Sequence, residues 1–134
     1  MSEEASEESA PPVKTILIVE DDDDVGLFLV QAIQQETPYH PILARDGKQA
    51  LQRVMSLKPD LFLFDYLLPE INGMELYDRM HRVEELKEVP ILFMTANFPF
   101  QTVKNRNFSF IKKPFELDEL LQTLDNLLRG AVSR

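Results

Sequence analysis

The sequence predicts an α/β protein: a parallel β-sheet with helices on both faces. Three observations carry this. The runs Ile16-Leu17-Ile18-Val19, Leu61-Phe62-Leu63-Phe64 and Ile91-Leu92-Phe93-Met94 are continuously apolar, as strands buried on both faces must be. Stretches with apolar residues at helical spacing lie between such runs. Strand and helix signals alternate about five times, and that alternation implies crossover connections and a parallel sheet.

Each element follows in order. Ile16–Val19 is rich in β-branched residues and reads as the first strand. Val25, Phe28, Leu29, Ala32 and Ile33 recur as one helical stripe, which Pro38 ends. Pro41-Ile42-Leu43-Ala44 is a second, weaker strand. Ala50, Leu51, Val54, Met55 and Leu57 form the next helix stripe, stopped by Pro59. After the strand Leu61–Phe64, the residues Met74, Tyr77, Met80 and Val83 mark a third helix. Glu84, Glu85, Lys87 and Glu88 read as its solvated end. Pro90 precedes the fourth strand. Phe108, Phe110 and Ile111 mark the fifth. Leu117, Leu120, Leu121, Leu124, Leu127 and Leu128 form the clearest amphipathic helix of the chain.

The bulk numbers bound the answer. A chain of 134 residues with 44% hydrophobic content suits one domain with one core. There is no cysteine, so disulfide frameworks and Cys-based metal sites are excluded. No apolar run approaches the roughly 18 residues of a membrane span. The start, MSEEASEESAPP, is acidic and is not a secretory signal. A cytoplasmic location is therefore the default expectation. Residues 1–13 have no apolar period and read as a disordered acidic tail. Glu3, Glu4, Glu7 and Glu8 supply four of the nine net negative charges, so the rest carries −5. An acidic surface repels phosphate backbones, which argues against direct nucleic-acid binding.

In open α/β sheets, ligands bind outside the carboxyl ends of the strands. The residues just after each apolar run are therefore the informative ones. Glu20-Asp21-Asp22-Asp23-Asp24 follow the first strand, Asp65 the third, Thr95-Ala96 the fourth, and Lys112-Lys113-Pro114 the fifth. Crowded carboxylates repel and favour a shared cation. Oxygen-only ligands with few dedicated donors suit Mg²⁺, which favours phosphate company. A carboxylate can be a nucleophile and form an aspartyl phosphate, with the metal, a lysine and a hydroxyl stabilising phosphoryl oxygens. The set fits phosphoryl transfer to Asp65. Asp22, Asp23 and Asp24 are better read as helix-capping or solvated charge. Capping fits Asp65 poorly, because Leu67, Leu68 and Pro69 follow it.

At these residues the chain resembles the receiver domain of two-component response regulators, the chemotaxis regulators among them. ILIVEDDDDV, PDLFLFDYLLPEINGMEL, FMTA and FIKKPF resemble the family's first, third, fourth and fifth strands with their flanks. The match runs from about Lys14 to Leu128, and the receiver domain is expected over 14–130. The resemblance implies a three-layer (βα)5 flavodoxin-like fold with strand order 2-1-3-4-5. It implies Asp65 as phosphoacceptor. Glu20, Asp21, Asp65 and the Leu67 backbone carbonyl become the Mg²⁺ ligands. Thr95, the Ala96 N–H and Lys113 become the partners of the phosphoryl oxygens. A cis Lys113–Pro114 bond is compatible with the family. Phe110 stands where the family's switch aromatic sits: as Thr95 turns to the phosphoryl group, Phe110 turns inward and the output face changes. The implied partners are a histidine kinase or phosphotransfer protein and a downstream protein target, with the chain a monomer or weak dimer.

One stretch departs from the family pattern. Only 18 positions separate Thr95 from Lys113, so a shortened fourth helix is expected there, with Phe98 and Phe100 packed over it or exposed to a partner. Phe110 also lacks the hydroxyl of the commoner tyrosine. Leu67 and Asn97 are expected to flank the path of a hydrolytic water. The leading functional expectation is a single-domain response regulator that catalyses its own phosphorylation and dephosphorylation and is no conventional enzyme. The alternative is a non-phosphorylated receiver-like interaction module. A phosphatase ranks last, since no second acid or base stands beside Asp65. His40 and His81 lack the setting of a phosphorelay histidine.

Overall fold

Four-residue apolar runs cannot leave either face in water, and both faces of the central strands are covered. A computed structural model describes residues 12–96 and 108–133, with side chains to residue 129. The strands are β1 (Thr15–Val19), β2 (His40–Ala44), β3 (Leu61–Asp65), β4 (Ile91–Thr95) and β5 (Ser109–Lys112). The helices are α1 (Asp23–Glu36), α2 (Gly47–Arg53), α3 (Gly73–His81) and a C-terminal helix (Leu117–Ser133), with a 3₁₀ turn at Glu84–Leu86. All strand pairs are parallel, in the order β2-β1-β3-β4-β5. This is the expected flavodoxin-like arrangement. The expected short fourth helix, with Asn97, Phe98 and Phe100, lies outside the described residues, as do residues 1–11 of the tail.

Strand alternation divides the core in two. Leu17, Val19, Phe62, Phe64, Ile91 and Phe93 face α2 and α3 and bury Ala50, Leu76, Tyr77 and Met80. Ile16, Ile18, Leu61, Leu63, Leu92, Met94 and Ile111 face the other way, onto Leu29 and Ile33 of α1 and Leu120, Leu124 and Leu128 of the C-terminal helix. Pro41 is tolerated because β2 is an edge strand, where a missing N–H costs no central ladder bond.

The helix starts are set by side-chain caps. Asp22, Asp46 and Asn72 accept from the N–H groups of Val25, Gln49 and Glu75. Three sequence expectations need correction. Phe28 belongs to the stripe by spacing but is 51% exposed, on the outer side of α1. The helix read as far as Pro59 ends at Arg53, and Met55 lies beyond it, 85% exposed. Val83 falls after α3 and is exposed, while Leu76, unassigned by the stripe, is fully buried. Among the described residues no helix is long and apolar enough to cross a membrane.

Candidate phosphoacceptor cleft

The three central strands end together. Register pairs Val19 with Phe64 and Asp65 with Met94, so the residues that follow β1, β3 and β4 share one edge of the sheet. Asp65 is the last residue of β3 and Thr95 the last of β4; both are buried. Glu20 follows β1, its N–H donating to the Ala44 carbonyl at 3.0 Å. The Lys113 N–H donates to the Thr95 carbonyl at 2.8 Å, which carries the chain from β5 into the cleft. The Lys113–Pro114 bond is cis.

Carboxylate oxygens of Glu20, Asp21 and Asp65 lie within 4.8 Å of one another. Glu20 is only 2% exposed. Its Oε2 accepts from the Asp22 N–H at 3.1 Å, but among the described residues its buried Oε1 has no hydrogen-bond partner. Lys113 Nζ stands 4.0 Å from that oxygen and 3.4 Å from Asp65 Oδ1. Four angstroms is too long for a hydrogen bond, so the lysine answers Glu20 by charge alone. Burial pushes the Glu20 carboxyl up to about 7; the Asp22 N–H opposes this, Asp65 adds to it, and Lys113 offsets part of it. Burial also raises Asp65, against the pull of Lys113 and of the Leu67 N–H, which donates to its carboxylate.

These donors fit a small hard cation. All are oxygens, one is buried with no hydrogen-bond partner among the described residues, and ionised together they repel. Asp21 is exposed and leaves the site open to solvent, as suits an ion that keeps several waters.

Other residues lie apart from the cleft. Asp22 caps α1, Asp23 pairs with Arg45 at 2.8 Å, and Asp24 is exposed. Ala96 is exposed beside Thr95, Lys112 is exposed, and Phe110 on β5 is 36% exposed. His81 sits on α3, its Nδ1 3.1 Å from the Tyr77 carbonyl and its ring against the Tyr77 ring. Arg45 escaped the sequence reading because no spacing rule links the end of β2 to the start of α1.

An α/β sheet with an acidic cation-type cleft at its carboxyl edge defines a class: open-sheet proteins that handle phosphoryl groups beside a divalent metal. Similarity to known proteins narrows this. Residues 16–125 match the response regulator receiver domain, and the chain belongs to that family, whose members are phosphoacceptor signalling modules. It is 32% identical over 118 residues to the response regulator ArlR of Staphylococcus saprophyticus, covering 85% of this chain and 52% of that one. It is 28% identical to the polar-differentiation response regulator DivK of Brucella anthropi, covering 88% of this chain and 98% of that one. A putative response regulator from Chloroflexus aurantiacus superposes with a TM-score of 0.77 at 33% identity, covering 87% and 98% of the two chains. The receiver domain of the sensor histidine kinase PA1611 from Pseudomonas aeruginosa, solved with magnesium in its active-site cleft, gives 0.74 at 27% identity, with the same coverages. The chain spans about half the length of several curated relatives it matches, and 8% of a hybrid histidine kinase from Dictyostelium discoideum.

Proposed function

We propose that the chain carries a response-regulator receiver domain, over 14–130, that accepts a phosphoryl group on Asp65. The donor is a phosphohistidine of a kinase or phosphotransfer protein. A P–O bond forms to the Asp65 carboxylate, the P–N bond to the donor imidazole breaks, and its electron pair returns to the ring nitrogen. Glu20, Asp21, Asp65 and the Leu67 carbonyl would hold Mg²⁺, which supplies charge neutralisation for the transferring group. The Leu67 N–H orients the nucleophile. Lys113, already 3.4 Å from Asp65 Oδ1, pairs with a phosphoryl oxygen, and the Thr95 hydroxyl and Ala96 N–H serve the others. Withdrawal of Thr95 makes room for Phe110, and the changed face around β5 and the C-terminal helix is what a downstream protein reads.

The observation that carries this reading is the buried Glu20 oxygen that has no hydrogen-bond partner among the described residues, beside an acceptor aspartate that a lysine already approaches. Acetyl phosphate with Mg²⁺ is expected to add one phosphoryl mass to the intact protein. Omitting Mg²⁺ or replacing Asp65→Asn is expected to abolish the gain. If no mass is gained and beryllofluoride also fails to bind, the chain is an interaction module on the same fold.

A further inference from the structure

The loop between Asp65 and α3 carries the Leu67 amide that hydrogen-bonds the Asp65 carboxylate. Something must hold that amide in place, and the Leu67 side chain does not, being 73% exposed. The loop is fastened elsewhere. At its far end the Gly73 N–H donates to the Tyr66 carbonyl at 2.7 Å. In its middle the Ile71 N–H donates to the Pro69 carbonyl at 2.6 Å across Glu70, whose φ is +70°. That is a γ-turn with a positive central φ, a rare and strained form, which persists only where the surroundings enforce it.

Ile71 is in position to supply such a contact. Ile71 and Leu68 are the partly buried side chains between Leu67 and Gly73 that pack on the core. A Cβ placed on Gly47, the buried first residue of α2, would lie 2.4 Å from Ile71 Cγ2. No real Cβ sits so close, so the methyl group of Ile71 occupies the place where any other residue would carry its side chain. Turn conformation does not explain this glycine, since among the described residues no glycine has a positive φ. Close approach does.

We infer that Gly47 and Ile71 are positioning residues for the phosphoacceptor: the side-chain-free start of α2 seats Ile71, which holds the strained loop that presents Leu67 to Asp65. The inference rests on the proposed role of Asp65. Supporting groups of this kind typically change metal affinity by roughly 10- to 100-fold when altered. A contact with purely structural weight moves thermal stability alone.

The test compares wild type, Gly47→Ala, Ile71→Ala and the double variant. Mg²⁺ affinity is read by calorimetry, phosphoryl uptake from acetyl phosphate by intact mass, and Tm in parallel. Gly47→Ala is expected to weaken Mg²⁺ binding and slow uptake by about tenfold. Ile71→Ala, which keeps Leu68 as an anchor, is expected to weaken both in the same direction. In the double variant the methyl group introduced at position 47 refills the place that the shortened side chain at position 71 vacates. Both quantities are then expected to return to within about threefold of wild type. Single variants that lower Tm while leaving Mg²⁺ affinity and uptake unchanged would overturn the inference. So would a double variant no better than Gly47→Ala. Failure of wild type to take up phosphoryl would sink the functional reading instead, and the Mg²⁺ affinities would still decide the role of Gly47.

Discussion

Four aspartates in a row, Asp21 to Asp24, carry the same charge but stand in different places. Asp21 contributes to the cluster with Glu20 and Asp65, Asp22 caps α1, Asp23 meets Arg45, and Asp24 faces water. The pattern of the sequence separated the first from the rest because position after a strand and position before a helix demand different things of a carboxylate. Substitution should separate them further. Asp22→Ala removes an N-cap and is expected to cost about 1 kcal/mol of stability while leaving Mg²⁺ affinity unchanged. Asp21→Ala removes an exposed repelling charge, so its folding stability should hold or rise slightly while Mg²⁺ binding is lost. Chemical denaturation and calorimetry on the two variants check this; equal effects on both quantities would contradict the division. At this scale the orphaned Glu20 oxygen was not legible, because burial at a strand end depends on neighbours that arrive from β2, β3 and β5.

Among elements, the C-terminal helix was the most legible, since its leucines repeat at helical spacing over many turns. The end of α2 was much less so: its stripe ran on through Met55 and Leu57, yet the helix stops at Arg53. Apolar spacing alone cannot tell a helix from the turns that follow it, because the chain continues to pack Val54 on the core while leaving helical geometry. In α1 the stripe was too wide. Phe28 and Leu29 are adjacent, a helix separates neighbours by about 100° around its axis, and only Leu29 reaches the core. Two deletions of similar chemistry should therefore differ sharply. Leu124→Ala, at a fully buried site, is expected to cost about 2–5 kcal/mol. Phe28→Ala is expected to stay within about 0.5 kcal/mol. Urea denaturation midpoints at constant m-value compare them, and a large loss at Phe28 would show that its outer face is covered.

For the molecule as a whole, periodicity implied a parallel sheet, but the strand order came from the family resemblance, since a pattern of buried runs does not say which run lies beside which. That order is what gathers three carboxylates at one edge, and it gives the protein a pH dependence of definite sign. Burial raises Glu20 to about 7 and raises Asp65, whereas in the unfolded chain both ionise near pH ~4. Between those values the folded state binds more protons than the unfolded one, so metal-free stability falls as pH rises through that window. For Glu20, almost wholly buried, the loss is about 3 kcal/mol. Glu20→Gln removes it: wild type and variant should match below about pH 4 and diverge toward about pH 8, with the variant the more stable. Mg²⁺ acts on the same oxygens in competition with protons. Its affinity for wild type should therefore rise across the same window, and Mg²⁺ at about 100 times its Kd should return about 2.7 kcal/mol to wild type and little to Glu20→Gln. Denaturation midpoints across that pH range, with and without Mg²⁺, read all of this. A metal-free wild type that gains stability over Glu20→Gln as pH rises would mean that Glu20 is satisfied within the fold and that the cleft is not built around a cation.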